Sequence, residues 1–316
     1  MKNKTIVLLY LVFYTVITLI ISGSFVAKAK TKRSQSASVS AKMDHLQYEL
    51  SQNFLHSKAY LIAYSDFTAL GAEKMRTHRS AKKESDKSIL GMIDGFMLDQ
   101  ELKGKVDLDG LHNLKKQLTK HATAFNLIVL SAGSRGNLAG GKLAELINSA
   151  NALRNSRELN QEQLLKLFEH ERNFLVASDE QDIQALEKTL RSMSASIKDE
   201  DTKEVLLAYS RSFDDIVRST QEIGLHTNTG QFTQMNFWQK EMTNNLQEIQ
   251  SKVETLNEED AKTTDNLFLI YCLINVPLIY IFSLLITNAL RSRFEVQFRS
   301  LEPKYVSQLR LTQKSA

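Results

Sequence analysis

The chain has 316 residues, with 40 Lys and Arg against 36 Asp and Glu, a formal net charge of +4, one cysteine and two prolines. A charge this near balance leaves no electrostatic footprint for nucleic acid, so no nucleic-acid partner is expected. The lone Cys272 excludes an internal disulfide and a cysteine-rich metal site.

The first element is Thr5–Ala27, an uncharged run of 23 residues. That meets the roughly 20 residues a helix needs to cross a bilayer. A cleaved signal peptide is the alternative, with Ser22-Gly23-Ser24 and Ala27 as its cleavage region. The apolar run exceeds the usual signal core of about 7–15 residues, which favours an uncleaved span. Leu267–Leu290 is a second uncharged run, and its Pro277 is of a kind membrane helices tolerate. Two spans leave both termini on one side.

Basic flanks favour the cytoplasm. Lys2 and Lys4, with Arg291, Arg293, Arg299, Lys304, Arg310 and Lys314, assign both ends there, and Glu258, Glu259, Asp260 and Asp265 precede the second span. Lys28, Lys30, Lys32 and Arg33, just after the first span, are a counter-signal. The expected division is a cytoplasmic tail 1–4, a span 5–27, an external domain 28–266, a span 267–290 and a short cytoplasmic tail 291–316. In a bacterium this is an inner-membrane protein with its bulk in the periplasm.

Both prolines follow residue 266, and the external domain is rich in Leu, Ala, Lys, Glu and Gln. Proline breaks helix interiors, and its absence here favours long helices. The spacing predicts helices over Ser34–Leu70, Ala81–Gln100, Leu111–Ala132, Lys142–Asn155, Gln161–Ala177, Gln181–Ile197 and Thr202–Ile223. A last one runs from Gly230 into the second span. Asp107, Asn160, Ser178 or Asp179, and Asp199 or Asp201 are their N-cap candidates. Leu164, Leu167, Phe168, Glu171, Phe174 and Leu175 form one helical stripe, and Tyr209, Phe213, Ile216 and Val217 another.

Two blocks recur. Phe125, Ile128 and Val129, with Gly136 eleven residues after the Phe, match Phe213, Ile216 and Val217 with Gly224. YELSQNFL, Tyr48–Leu55, matches FEHERNFL, Phe168–Leu175, at Glu49/Glu169, Asn53/Asn173, Phe54/Phe174 and Leu55/Leu175. Matching order in both blocks points to a duplication. The first module, about 57–150, would carry about 32 extra residues within Ser57–Leu118, and the second would cover about 151–266. Helices shared between the modules would bury a continuous stripe, giving an all-α fold of two stacked, four-helix-type bundles with long shared helices, flanked by two transmembrane helices.

The second module resembles the helical bimodular sensor domain of bacterial chemoreceptors and sensor kinases. That family carries an E-K-D-F-L motif, met here by Glu171, Arg172, Asn173, Phe174 and Leu175, with Arg for Lys and Asn for Asp. Its later aromatic pair and glycine segment are met by Tyr209 and Phe213, by Gly224-Leu225 and Gly230, and by Glu241. The resemblance covers about Asn160–Gln250. It implies a periplasmic double bundle that binds small molecules such as carboxylates and passes a helix displacement through the membrane. About 26 residues follow Leu290, too few for a kinase, cyclase or methyl-accepting domain, so output would pass to a separate signalling partner.

Arg172, Tyr209, Arg211 and Arg218 are the candidates for an anionic ligand, since a guanidinium holds a carboxylate bidentately. Each arginine has a competing reading as a solvated residue or as a partner of Glu169, Asp214 or Asp215. His170-Glu171 lacks the second His of a zinc-protease helix, and Gly133–Gly141 lacks the full G-x-x-x-x-G-K-S/T pattern and the preceding strand of a phosphate loop. No metal, cofactor or enzymatic constellation is expected. His226–Thr229 reads as a surface turn. Phe237-Trp238 reads as core, and Gln231–Leu256 as a homodimer face. The functional expectation is a two-span receptor-like protein binding a small ligand or a periplasmic protein. The alternative is a scaffold of a membrane complex with no small ligand.

Overall fold

The computed structural model describes residues 2–66, 68–99, 106–138, 140–224 and 229–313. Gln100, Leu225, His226, Thr227, Asn228 and Lys314, named above, lie outside them. The described residues form eight α-helices: α1 Lys2–Tyr64, α2 Ala69–Leu98, α3 Leu108–Arg135, α4 Lys142–Asn155, α5 Gln161–Ala177, α6 Glu180–Ser196, α7 Glu200–Ile223 and α8 Gly230–Gln313. The fold is all-α, as the composition requires.

Local chemistry sets the boundaries. Asp107, Asn160, Asp179 and Asp199 each accept a hydrogen bond from a first-turn backbone N–H, at Gly110, Glu162, Gln181 and Thr202. Such a cap satisfies one of the orphan donors at a helix start and is worth about 1 kcal/mol. Two expected boundaries are corrected. The first long helix stops at Tyr64, not Leu70, because Asp66 accepts both the backbone N–H and the hydroxyl of Thr68, at 3.0 and 2.6 Å, and turns the chain. The next helix begins at Ala69, not Ala81, because the Thr68 hydroxyl then accepts from Gly71 N and caps it.

The chain divides into two compact units, 1–40 with 254–316, and 41–253. The first pairs the early part of α1 with the late part of α8, antiparallel. Its seam is polar. Tyr14 donates to Asn275 Oδ1 at 3.1 Å, the Tyr271 hydroxyl donates to the Thr18 carbonyl at 2.6 Å, Ser22 and Tyr271 share a 2.7 Å bond, and Lys32 pairs with Asp260 at 3.0 Å. Leu9, Phe13, Leu19, Ile20, Leu273 and Tyr280 face outward. Apolar residues outside and hydrogen bonds inside are what a helix pair in lipid requires. Both helices are long and apolar enough to cross a membrane.

The second unit holds the cores. One cluster joins α4, α5, α6 and α7 through Leu146, Leu153, Leu167, Phe174, Leu186 and Phe213. Another joins α1, α3, α7 and α8 through Tyr60, Phe125, Ile128, Ile223 and Met235. Along α8 the buried positions are Met235, Met242, Leu246, Ile249 and Val253, a 3/4 repeat that fixes one face. The reading of Phe237 as core is corrected: it is 51% exposed, and Trp238 lies half-buried with Lys120 Nζ 4.1 Å above its ring. Neighbouring residues project about 100° apart around a helix, and here Trp238 turns partly inward while Phe237 faces solvent.

The repeat has a structural counterpart in its second block. Phe125 and Phe213 are both buried, and Gly136 and Gly224 close α3 and α7 with φ of 74° and 71°. In the first block only the phenylalanines agree: Phe54 and Phe174 are buried, while Asn53 is buried and Asn173 exposed.

Candidate functional site

The candidate ligand residues and the motif residues all lie in the 41–253 unit. Two of the residues singled out from sequence come together. The Tyr209 hydroxyl, on α7, donates to Glu171 Oε2, on α5, at 2.6 Å. Tyr209 is fully buried, and its ring packs edge-on against Phe168, which carries the Arg154 guanidinium 4.6 Å from its centroid. Burial raises the Glu171 carboxyl above its ordinary range, against the Tyr209 hydrogen bond and the Arg154 charge. Burial, then the Glu171 charge, pushes the Tyr209 phenol up. The Tyr209 hydroxyl is thus committed within the protein, and the arrangement ties α5 to α7.

The arginines are placed elsewhere. Arg172 and Arg211 are exposed, and Arg218 is exposed and pairs with Asp215 at 3.3 Å. At about 100° per residue, Arg211 lies roughly 200° around α7 from Tyr209, and Arg218 falls nearly in line with Arg211. The two α7 arginines therefore share a face opposite Tyr209. In the motif, Phe174 is buried against Phe213 with centroids 5.3 Å apart, Leu175 is half-buried and Asn173 is exposed. Gly224 and Gly230 both have positive φ, at 71° and 86°.

A polar centre that the sequence reading missed lies among α1, α2 and α3. Lys82 is 1% exposed and its ammonium meets both oxygens of Asp86, at 2.9 and 2.8 Å. Asn53 donates to Asp86 Oδ1 at 2.8 Å. Lys82 Nζ also lies 5.0 Å from the Phe125 centroid, and the His121 ring meets Phe54 edge-on at 5.4 Å. His121 is 0% exposed, and among the described residues neither of its ring nitrogens has a hydrogen-bond partner, nor does Asn53 Oδ1. Burial, and then the nearby Lys82 ammonium, holds the His121 pKa down at about 3. Burial likewise lowers the Lys82 pKa, against the Asp86 charge. The signal was present: each residue interrupts an apolar stripe, Asn53 after Leu46 and Leu50, Lys82 before Ile89, Ile93 and Phe96, and His121 between Leu118 and Phe125.

The third feature is a groove of about 340 Å³ between α1 and α8, with Leu50, Phe54 and Leu246 as its floor and Gln47, Lys58, Gln239 and Thr243 around it. Gln250 donates to Gln47 Oε1 at 3.0 Å at one end. Five amide or hydroxyl groups, Gln47, Ser51, Gln239, Thr243 and Gln247, with one ammonium can hold a small molecule that carries an acidic group and hydrogen-bonding heteroatoms, over an apolar base.

No protein-family model matches this chain, and no curated protein matches it.

Proposed function

We propose that the chain is a two-span membrane receptor-like protein of the helical bimodular kind, with both termini cytoplasmic and residues 28–266 outside. It binds a small anionic molecule in the α1/α8 groove and relays a helix movement to a separate signalling partner. The two core clusters support reading the external domain as two stacked four-helix-type bundles, with α7 contributing to both. One observation carries the receptor reading. The groove is built from α1 and α8, the same two helices that contain the membrane-length apolar runs. A ligand there acts on the transmitting elements themselves, and it signals by favouring one of two states.

The test is a thermal-shift screen of the full-length chain in detergent against organic acids, amino acids and amines, with Lys58→Gln as control. One class of acid should stabilise the wild type and not the variant. A reporter fused to the C-terminus should read as cytoplasmic. An external C-terminus, or no stabilisation by any compound, overturns the receptor reading.

A second reading, a structural protein of a membrane complex, has its own support. Tyr48, Leu55 and Ile62, seven residues apart on α1, are 58%, 56% and 73% exposed. An exposed apolar heptad stripe fits a helical partner, including a second copy of the chain. Co-purification of a membrane protein with no ligand response selects this reading.

A further inference from the structure

The basic cluster after the first span runs against the charge rule for an external segment, and the structure gives it a use. In the 1–40/254–316 unit, α1 and α8 enclose a groove of about 400 Å³ lined by Phe25, Val26, Ala29 and Phe268, then by Lys30, Arg33 and Asp265. The lining changes character along the helix axis. Phe25 and Phe268 belong to the ends of the apolar runs, and the cations follow. Phe25 to Lys30 rises about 8 Å at 1.5 Å per residue. That is close to the thickness of one polar interfacial layer, about 5–8 Å, outside a hydrocarbon core of roughly 30 Å.

The cations are available. Arg33 meets Asp265 at 3.4 Å with both side chains well exposed, a pair worth little in water. Lys30 is exposed and has no ion-pair partner among the described residues. Long basic side chains keep their stems on apolar surface while their heads reach the headgroup layer. A free phosphate would satisfy the cations but leave Phe25, Val26, Ala29 and Phe268 unused. A lipid satisfies both.

We infer that this groove is a binding site for an anionic glycerophospholipid, with an acyl chain along Phe25, Ala29 and Phe268 and the phosphodiester held by Lys30 and Arg33. The inference rests on the membrane reading above, but not on which side the domain faces.

The test uses the full chain reconstituted in phosphatidylcholine vesicles with or without about a quarter phosphatidylglycerol, then extracted and assayed for retained lipid by native mass spectrometry. Wild type should retain phosphatidylglycerol in preference to phosphatidylcholine. Lys30→Gln/Arg33→Gln should lose that preference by roughly thirty-fold, at about fivefold for each cation near an anionic surface. Ala29→Trp, which fills the groove and keeps the charges, should lose it too. Equal retention of both lipids by wild type, retention unchanged in the double variant, or displacement of the lipid by millimolar inorganic phosphate overturns the site. Alkaline carbonate extraction separates the two failures. A chain that leaves the membrane sinks the membrane reading and this site together, and an integral chain without the lipid preference sinks this site alone.

Discussion

The Tyr209 hydroxyl reaches from α7 to Glu171 on α5 across 2.6 Å, and both groups are removed from bulk water. The bond is charge-assisted, since a phenol donates to a carboxylate whose own burial works against its ionisation. Tyr209→Phe keeps the ring and removes only the donor. It should cost about 1.5–3 kcal/mol, the range for a hydrogen bond to a charged group. Urea unfolding of the full chain in detergent, followed through the only tryptophan, Trp238, measures it. A loss below a few tenths would mean that water replaces the phenol. The sign with pH is fixed by the raised Glu171 pKa. The folded state holds that proton more tightly than the unfolded chain, so the titration of Glu171 itself contributes most below the ordinary carboxyl value, and that contribution is lost as pH rises through the raised one. Glu171→Gln should remove that falling segment from the stability profile.

Lys82 and Asp86 show why a buried ion pair is judged by what is left when it is broken. Asp86→Asn leaves an ammonium that is 1% exposed without its counter-charge, and should cost roughly 3–5 kcal/mol. Lys82→Met with Asp86→Asn removes both charges together, and should recover most of that loss, to within about 1 kcal/mol of wild type. Melting of the two variants beside wild type is the measurement. Equal losses in single and double variants would show that the network's hydrogen bonds, not its charges, hold α1 to α2.

Much of the helical frame was legible because its signals are local. Asp107, Asn160, Asp179 and Asp199 cap the helices they precede. The misreading at Leu70 and Ala81 has the same origin, since the stop depends on Asp66 bonding to Thr68, a turn signal outweighed by continuing apolar residues. The sites were less legible. Glu171 and Tyr209 each stand on a legible helical stripe, but their contact spans 38 positions, which no periodicity reports. The pairing of Lys82 with Asp86 is local, but its burial is not. Nothing in the i, i+4 spacing distinguishes a solvated pair from one roofed by Phe125 and His121.

Gly136 and Gly224 end α3 and α7 in the left-handed region, with φ of 74° and 71°. A Cβ on Gly136 would collide with Gly140 and Gly141 backbone, and one on Gly224 with the Thr229 carbonyl. Ala at either position should therefore cost more than the roughly 1–2 kcal/mol of left-handed strain alone. Gly133→Ala is the contrast, inside α3 with open space at its Cβ, and should stabilise by about 0.5–1 kcal/mol. Circular-dichroism melts of the three variants decide it. Equal behaviour would remove the conformational reason for the paired glycines.

His121 makes the sharpest pH prediction. Its folded pKa of about 3 lies below the ordinary 6.5, because burial, and then Lys82, disfavour the imidazolium. The unfolded chain takes up this proton first as pH falls. The neutral His121 thus contributes stability that is full above pH 6.5 and is lost as pH drops toward about 3. At about 1.4 kcal/mol per pH unit, the loss near pH 4.5 should be roughly 2–3 kcal/mol. His121→Leu fills much of the same space and cannot titrate, so its stability between pH 6.5 and 4.5 should be flatter by that amount. The variant should also gain at neutral pH, because it removes two buried ring nitrogens that have no hydrogen-bond partner among the described residues. Urea midpoints of wild type and variant at several pH values test both statements. Parallel profiles would show that His121 is reached by water and titrates as an ordinary imidazole.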